Sequence, residues 1–508
     1  MKQLQRHIPL ATFIIIAYVM LPVCNSDYLY TIQDNSIFIQ GVTFMQDIVN
    51  HHGGWVAWIA CYLTQFFYHP WLGSTIIIAL WTVMYALTCW LFALHGRKRS
   101  FALALPAALM FNIIDYGYWI YYAKTPGFAF CPTLLVLAAV IIASVLRASL
   151  IWAKMKNARS TAWAACLALI GITASTFVGQ WNLNNHTCSI RTTLFDSNFR
   201  HEMSMYRALD ELRFEDAVKE SESYGEQPTN LMVMYKNIAL MHTGRLTEMF
   251  KNTNIGIRPN TQSSPKVRTS RLGAPLIYYM YGQFNFSYRW AMENAVQYGL
   301  SFSSVKMMAR CAIMNGERDV AAKYLAILGT SIFHHDWALE HKEMLMNSTA
   351  LVQSKEFACL EPLMGVVPES IDSDDGLCER YLLDVFSRLE QTNAAIEDIA
   401  LCMSLWSNDF YAFCVHFHDY VERHPNDDIP LLYQQGAILL GNLPESPITL
   451  TGFEFDPIVA DKYNMFVRDY NTLKEQGADD ITAKEKLRAS YGDTYWWYYY
   501  FNPEIDFY

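Results

Sequence analysis

Two groups of side chains in this chain have donor types and spacings that suit a metal. Cys414, His418 and Glu422 recur at i, i+4 and i+8, so an α-helix lines them up on one face, with His416, Asp419 and His424 nearby. Such a row offers the sulfur, imidazole and carboxylate donors that Zn²⁺ takes. No second ligand pair follows at a supporting distance. The other group, His334-His335-Asp336 with Glu340-His341, fits neither H-E-x-x-H nor H-x-x-E-H. No metal is therefore expected, and Asp336 reads as the N-cap of a helix. The remaining candidates are Asp27, Asp34 and Asp47, three carboxylates that follow the first apolar run. Any of them has the chemistry of a general base or a cation ligand. No G-x-S-x-G, Walker A, G-x-G-x-x-G or CxxC occurs in a useful context, so no catalytic residue and no cofactor is assigned.

The elements that must position these residues divide the chain in two. Five apolar segments, Ile8–Cys24, Trp71–Leu94, Phe101–Trp119, Phe128–Leu146 and Thr161–Trp181, are each about the length that crosses a ~30 Å hydrocarbon core as a helix. A sixth, Trp55–Tyr68, is shorter and runs into His69-Pro70, which suits an interfacial or re-entrant helix. Nine of the ten cations in residues 1–180 then fall on one side of the membrane, and only Lys124 falls opposite. By the positive-inside rule the N-terminus is cytoplasmic, the chain crosses five times, and residues 182–508 lie outside. A sixth crossing would put Arg97-Lys98-Arg99 on the wrong side.

Residues 181–508 carry 28 cations against 44 acids, a net −16 that excludes nucleic acid as a partner. Amphipathic segments broken by Gly, Asn or Pro follow one another here, and no alternating strand pattern appears. Gly282 and Gly316 are 34 residues apart, as are Trp290 and Tyr324, and Met280 and Met314. A 34-residue helix–turn–helix period is that of tetratricopeptide repeats. The segment Thr253–Pro275 reads as a loop within the array. Its Arg258, Lys266, Arg268 and Arg271, with no acid among them, form a candidate contact for an anionic partner.

Aromatic residues concentrate twice. Trp55, Trp58, Phe66, Phe67 and Trp71 accompany the short segment, and Trp119 ends the third apolar run. Amphipathic rings suit the head-group layer, so these six are assigned to the membrane interface. At the other end, Tyr495–Phe501 is seven aromatics in a row. Leaving them all in water forgoes about 1.5–3 kcal/mol per ring, so the run is expected to dock on the preceding helices.

In its first outer loop the chain resembles polyprenyl-phosphate-dependent membrane glycosyltransferases, which set a catalytic carboxylate just after the first span beside an interfacial helix. That resemblance implies a carboxylate role for Asp27, Asp34 or Asp47, although the chain has fewer spans than that class and lacks a paired acidic motif. Over nearly its full length the chain is similar to an uncharacterised, domain-of-unknown-function family of Gram-negative inner-membrane proteins. The likeness is carried by Tyr62-Leu63-Thr64-Gln65-Phe66-Phe67-Tyr68-His69-Pro70-Trp71-Leu72-Gly73, Arg289-Trp290-Ala291-Met292-Glu293, and Thr494-Tyr495-Trp496-Trp497-Tyr498-Tyr499-Tyr500-Phe501. It implies a bacterial inner-membrane location and a membrane-plus-repeat architecture, and brings no functional residues.

The expected fold is thus all-α. A polytopic membrane domain over 1–181, with five spans and one interfacial or re-entrant helix, precedes a tetratricopeptide-like α-solenoid over 182–508. The expected function is a scaffold or assembly factor of the bacterial cell envelope, with the lipid bilayer and other envelope proteins as partners. An enzyme or carrier acting on a lipid-linked glycan is the alternative. In a scaffold the three aspartates are dispensable, so Asn at each is expected to be tolerated.

Overall fold

The computed structural model describes residues 7–51, 53–117, 120, 127–152, 197–223, 228–250, 266–366, 385–389, 393–443, 448 and 452–501. Among these, every regular element is helical. They divide into two compact units. One comprises Met1–Met203, Asn260–Leu272 and Tyr288–Ser348; the other comprises Ser204–Pro259, Gly273–Ser287 and Thr349–Tyr508.

In the first unit, Pro70–Leu91 and the Cys131–Ser149 stretch of helix Cys131–Trp152 are long and apolar enough to cross a membrane. A helix of 22 residues, the length of Pro70–Leu91, rises about 33 Å. Ile8–Val23 with Ser26–Asp34 makes a third candidate, bent by 66°. The bend follows a π-turn over Val19–Val23 that contains Pro22, whose missing N–H breaks the regular ladder. Residues Phe101–Trp119 do not form the single long helix expected of them. Gly96–Leu103 is 3₁₀, and the α-helix Ala104–Asp115 has 12 residues, about 18 Å, ending before Gly117 at φ +48°. The fifth expected span, Thr161–Trp181, lies outside the described residues, as does Trp119.

Side-chain contacts fix the course of these helices. Trp81 Nε1–H donates to Thr133 Oγ1 at 3.0 Å, and the Arg147 guanidinium sits 4.8 Å over the Trp90 ring. The two pairs occur in the same order along both helices, so Pro70–Leu91 and Cys131–Trp152 run parallel. Leu103, before Ala104–Asp115, packs against the cluster of Tyr85, Cys89 and Ala102. Near its other end, the Ile113 carbonyl accepts the Tyr28 hydroxyl at 2.6 Å. This short helix therefore runs back along the other two.

The short Trp55–Tyr68 segment is the helix Gly54–Thr64 with a 3₁₀ turn, Gln65–Tyr68. His69 is extended, as the residue before a proline must be, and Pro70 opens the next helix at a position that needs no N–H donor.

Elsewhere in the first unit, Phe302–Met314, Arg318–Leu328 and His335–Met346 fold back on one another through short turns. Ser301 caps the first of them reciprocally with Ser304. The 34-residue sequence period survives as equivalent turns. Lys266–Met280 and Phe302–Met314 each end two residues before a glycine at positive φ, Gly282 at +73° and Gly316 at +72°. The two glycines differ in their surroundings. A Cβ on Gly282 would meet the Leu363 carbonyl oxygen at 2.9 Å, whereas one on Gly316 would meet nothing within 4 Å. Close approach to a neighbouring backbone therefore bars a side chain at Gly282 and not at Gly316.

The second unit closes on the aromatic run. Tyr495–Phe501 is a helix whose Tyr495, Trp496, Trp497 and Tyr498 are buried. The Gln435 amide oxygen accepts the Tyr495 backbone N–H, and the Trp406 carbonyl accepts the Tyr498 hydroxyl. Phe250, Trp406 and Tyr463 pack against the rings. His242 in this unit is stacked on Phe214. Burial pushes its imidazole down to about 4, against the opposing pull of the Met280 and Cys359 backbone.

Candidate functional site

Among the residues with chemical potential, the structure concentrates attention on a buried polar cluster in the first unit. It forms where the loop after the first apolar helix meets helices 302–346. Ser26–Asp34 is buried from Tyr28 to Asp34. At its end Asp34 Oδ1 lies 2.9 Å from Lys306 Nζ, with only 1% of the aspartate side chain and 5% of the lysine side chain exposed. One residue earlier, the Gln33 amide Nε2–H donates to Nε2 of His334 at 2.8 Å. Two residues later, the Ser36 carbonyl accepts the backbone N–H of Phe302 at 2.8 Å.

The Gln65–Tyr68 turn supplies the other wall. Ser331 Oγ–H donates to Gln65 Oε1 at 3.2 Å. Phe333 stacks on Tyr68 with ring centroids 5.5 Å apart and meets Phe66 and His69 edge-on. The Phe302 ring is 4.2 Å from His334. The turn can reach this position because Gly73 has no side chain. A Cβ there would lie 2.4 Å from the Phe67 ring. One turn beyond Lys306, Arg310 is also buried, with its guanidinium 5.6 Å from the Trp337 ring.

Taking a charge out of water costs several kcal/mol, so a buried carboxylate and ammonium are retained only where geometry compensates. Here the pair joins Asp34 to Lys306 across 271 intervening residues. Amide, hydroxyl and backbone bonds surround it and fix its register. Asp34 therefore acts as a fastener between two segments, and the expectation that Asn is tolerated there no longer holds. Asp27 is half-buried on the first turn of the same helix, and Asp47 is exposed.

A model described as "Family of unknown function (DUF6057)" matches the chain over residues 2–153 and 111–502. The chain belongs to this family. No curated protein and no solved structure matches it.

The other sequence candidates fall as follows. Of the interface aromatics, Trp55 and Trp71 are exposed, while Trp58 and Phe66 are half-buried. Phe67 is fully buried against Phe130, and a ring without surface meets no lipid. Lys266, Arg268 and Arg271 lie on the helix Lys266–Met280, so this part of Thr253–Pro275 is not a loop; Arg258 lies outside the described residues. On helix Phe410–Arg423, His418 pairs with Glu422 at 3.5 Å, Cys414 is half-buried, and buried His416 donates to the Ser387 carbonyl. Asp336 is the second residue of His335–Met346, whose N-cap is His334.

Sequence reasoning missed Lys306, Arg310 and His334 as a group. A signal was available for the cations. Phe302–Met314 is apolar nearly all round, with Lys306 and Arg310 at i, i+4, and charges in such a helix require partners inside the protein.

Proposed function

We propose that the protein is a membrane-anchored scaffold or assembly factor of the bacterial cell envelope, holding a tetratricopeptide-like helical surface against the outer face of the inner membrane. The observation that carries this reading is the Asp34–Lys306 pair with its Gln33–His334 and Ser36–Phe302 neighbours. Through them, the loop that precedes the Pro70–Leu91 helix and the helices of 302–346 are fastened as one body. A scaffold needs its presenting surface held at a fixed attitude, and a flexible tether to a single span would not do that.

The same contacts bear on topology. In this reading residues 302–334 share the side of the membrane that holds the 25–69 loop, with an odd number of crossings before them. The parallel course of Pro70–Leu91 and Cys131–Trp152 supports a return crossing between the two, made by the 3₁₀ and α segments of 96–117. With Thr161–Trp181 as the last span, five crossings keep Arg97-Lys98-Arg99 and Arg147 inside.

The alternative, an enzyme or carrier for a lipid-linked glycan, needs a carboxylate available at the outer membrane edge. Asp34 is committed to Lys306, which leaves Asp27 and Asp47 for that role. Purification of the full chain from cross-linked membranes, followed by mass spectrometry, tests the scaffold. Stoichiometric recovery of one or a few envelope proteins, lost in Lys306→Met while membrane insertion persists, is expected. Transfer of a sugar from a polyprenyl-phosphate donor by the purified protein, abolished by Asp27→Asn or Asp47→Asn, would replace this reading with the enzymatic one.

A further inference from the structure

The turns that carry the buried cluster also carry apolar side chains on their outer surface. Phe333 is seated on Tyr68 and His69, the two residues immediately before the Pro70–Leu91 helix. That places the Gly329–His334 turn at the level where this helix leaves the hydrocarbon, beside exposed Trp71 and Leu72. Phe302 is held at the same level by its backbone bond to Ser36 and its ring contact with His334. Immediately before Phe333 stands Ile332, 44% exposed, and two residues before Phe302 stands Leu300, 48% exposed. Val296, in the last turn of helix Phe284–Tyr298 that precedes Leu300, is exposed as well. Each ring in these turns points inward to the cluster, and the neighbouring aliphatic residue is left outside it.

We propose that Leu300 and Ile332, with Val296, form a second membrane contact: two turns of the helical array that insert aliphatic side chains into the outer-leaflet interface beside Trp71. The inference rests on the membrane-anchored reading above. The occupant is lipid rather than a protein because Ile332 adjoins Phe333, which is seated on Tyr68 and His69 just before the exposed Trp71 and Leu72 of a helix long and apolar enough to cross a membrane. An aliphatic side chain at that depth gains the transfer free energy of apolar burial with no partner required. The array would then be held at three places: the buried ion pair, the Phe333 seat and the inserted turns.

Photo-cross-linking of the full chain in vesicles of phosphatidylethanolamine and phosphatidylglycerol tests the proposal. Leu300→p-benzoylphenylalanine and Ile332→p-benzoylphenylalanine are irradiated separately, and adducts are identified by mass. Ile142→p-benzoylphenylalanine, on the exposed face of Cys131–Trp152, reports the membrane reading itself. Met346→p-benzoylphenylalanine, exposed at the far end of helix His335–Met346, reports background. Phospholipid adducts at 142, 300 and 332, at least tenfold above 346, are expected. Adducts at 142 with none at 300 and 332, or protein adducts at 300 and 332, overturn the inserted turns and leave the membrane anchor standing. Equal yields at 300, 332 and 346 also overturn them, because insertion would then not be particular to these turns. No lipid adduct at 142 removes the anchor and the inference together.

Discussion

Removing one partner of the Asp34–Lys306 pair should destabilise the first unit heavily, whereas removing both should not. At 2.9 Å and an effective dielectric constant of 20, the Coulomb attraction is about 6 kcal/mol. Desolvation of two ions at 1% and 5% exposure offsets most of it, several kcal/mol per ion. The net worth of the pair is therefore small, but either charge left alone keeps its desolvation cost and loses its attraction. Asp34→Asn and Lys306→Met should each cost about 3–5 kcal/mol. That is a large share of a typical stability of roughly 5–15 kcal/mol. The double variant Asp34→Leu/Lys306→Met should recover most of the loss. Thermal unfolding of the full chain in detergent micelles, followed by tryptophan fluorescence, reads the difference as a fall of roughly 5–10 °C for each single variant. Single variants within 1 °C of the wild type, or a double variant that loses the sum of both, would refute the account of this pair.

Three further outcomes follow from the geometry. Gly316→Ala should cost about 1–2 kcal/mol, the left-handed backbone penalty, and Gly282→Ala more because its Cβ also collides with Leu363; denaturant titration that ranks them equally contradicts this. Deleting Tyr495–Tyr508 removes four buried rings, roughly 6–12 kcal/mol of gross transfer free energy, so the second unit should unfold or aggregate on differential scanning calorimetry. His242 titrates at about 4 when folded and near 6.5 when unfolded, so the unfolded chain binds more protons between those values. Stability of the second unit should therefore fall as pH drops from 6.5 to 4, by about 3 kcal/mol from this group. The fall should shrink in His242→Gln, and an identical pH profile for that variant would count against the buried neutral imidazole.

Much of the architecture was legible in the sequence because it rests on local periodicity. Apolar length identified Ile8–Cys24, Trp71–Leu94 and Phe128–Leu146, and the short Trp55–Tyr68 segment ends before His69-Pro70 as read. The 34-residue offset between Met280 and Met314 reappeared as equivalent helix ends. Hydropathy overstated Phe101–Trp119, since it does not distinguish an α-helix from 3₁₀ turns, and the latter occupy Gly96–Leu103. It also grouped Phe67 with the interface rings, because an aromatic beside a membrane reads the same whether it faces lipid or protein. The cluster itself was legible only in pieces. Tyr62–Gly73 stood out as a motif, and its Gln65, Phe66 and Tyr68 turned out to contact Ser331 and Phe333. The partnership of Asp34 with Lys306 left no trace in spacing, because residues so far apart in the chain are paired by the fold alone.

The helices of 302–346 are fastened to the loop after the first apolar helix, and the proposed function puts both on the outer face of the membrane. The most direct test of that placement is the sidedness of three protease-cleavable epitopes, placed singly in the full chain after Asp47, Arg99 and Met346, and probed with protease in intact spheroplasts. The account predicts cleavage after Asp47 and after Met346, and protection after Arg99 until the membrane is permeabilised. Protection after Met346 with cleavage after Asp47 would place the two fastened segments on opposite sides of the bilayer and contradict it.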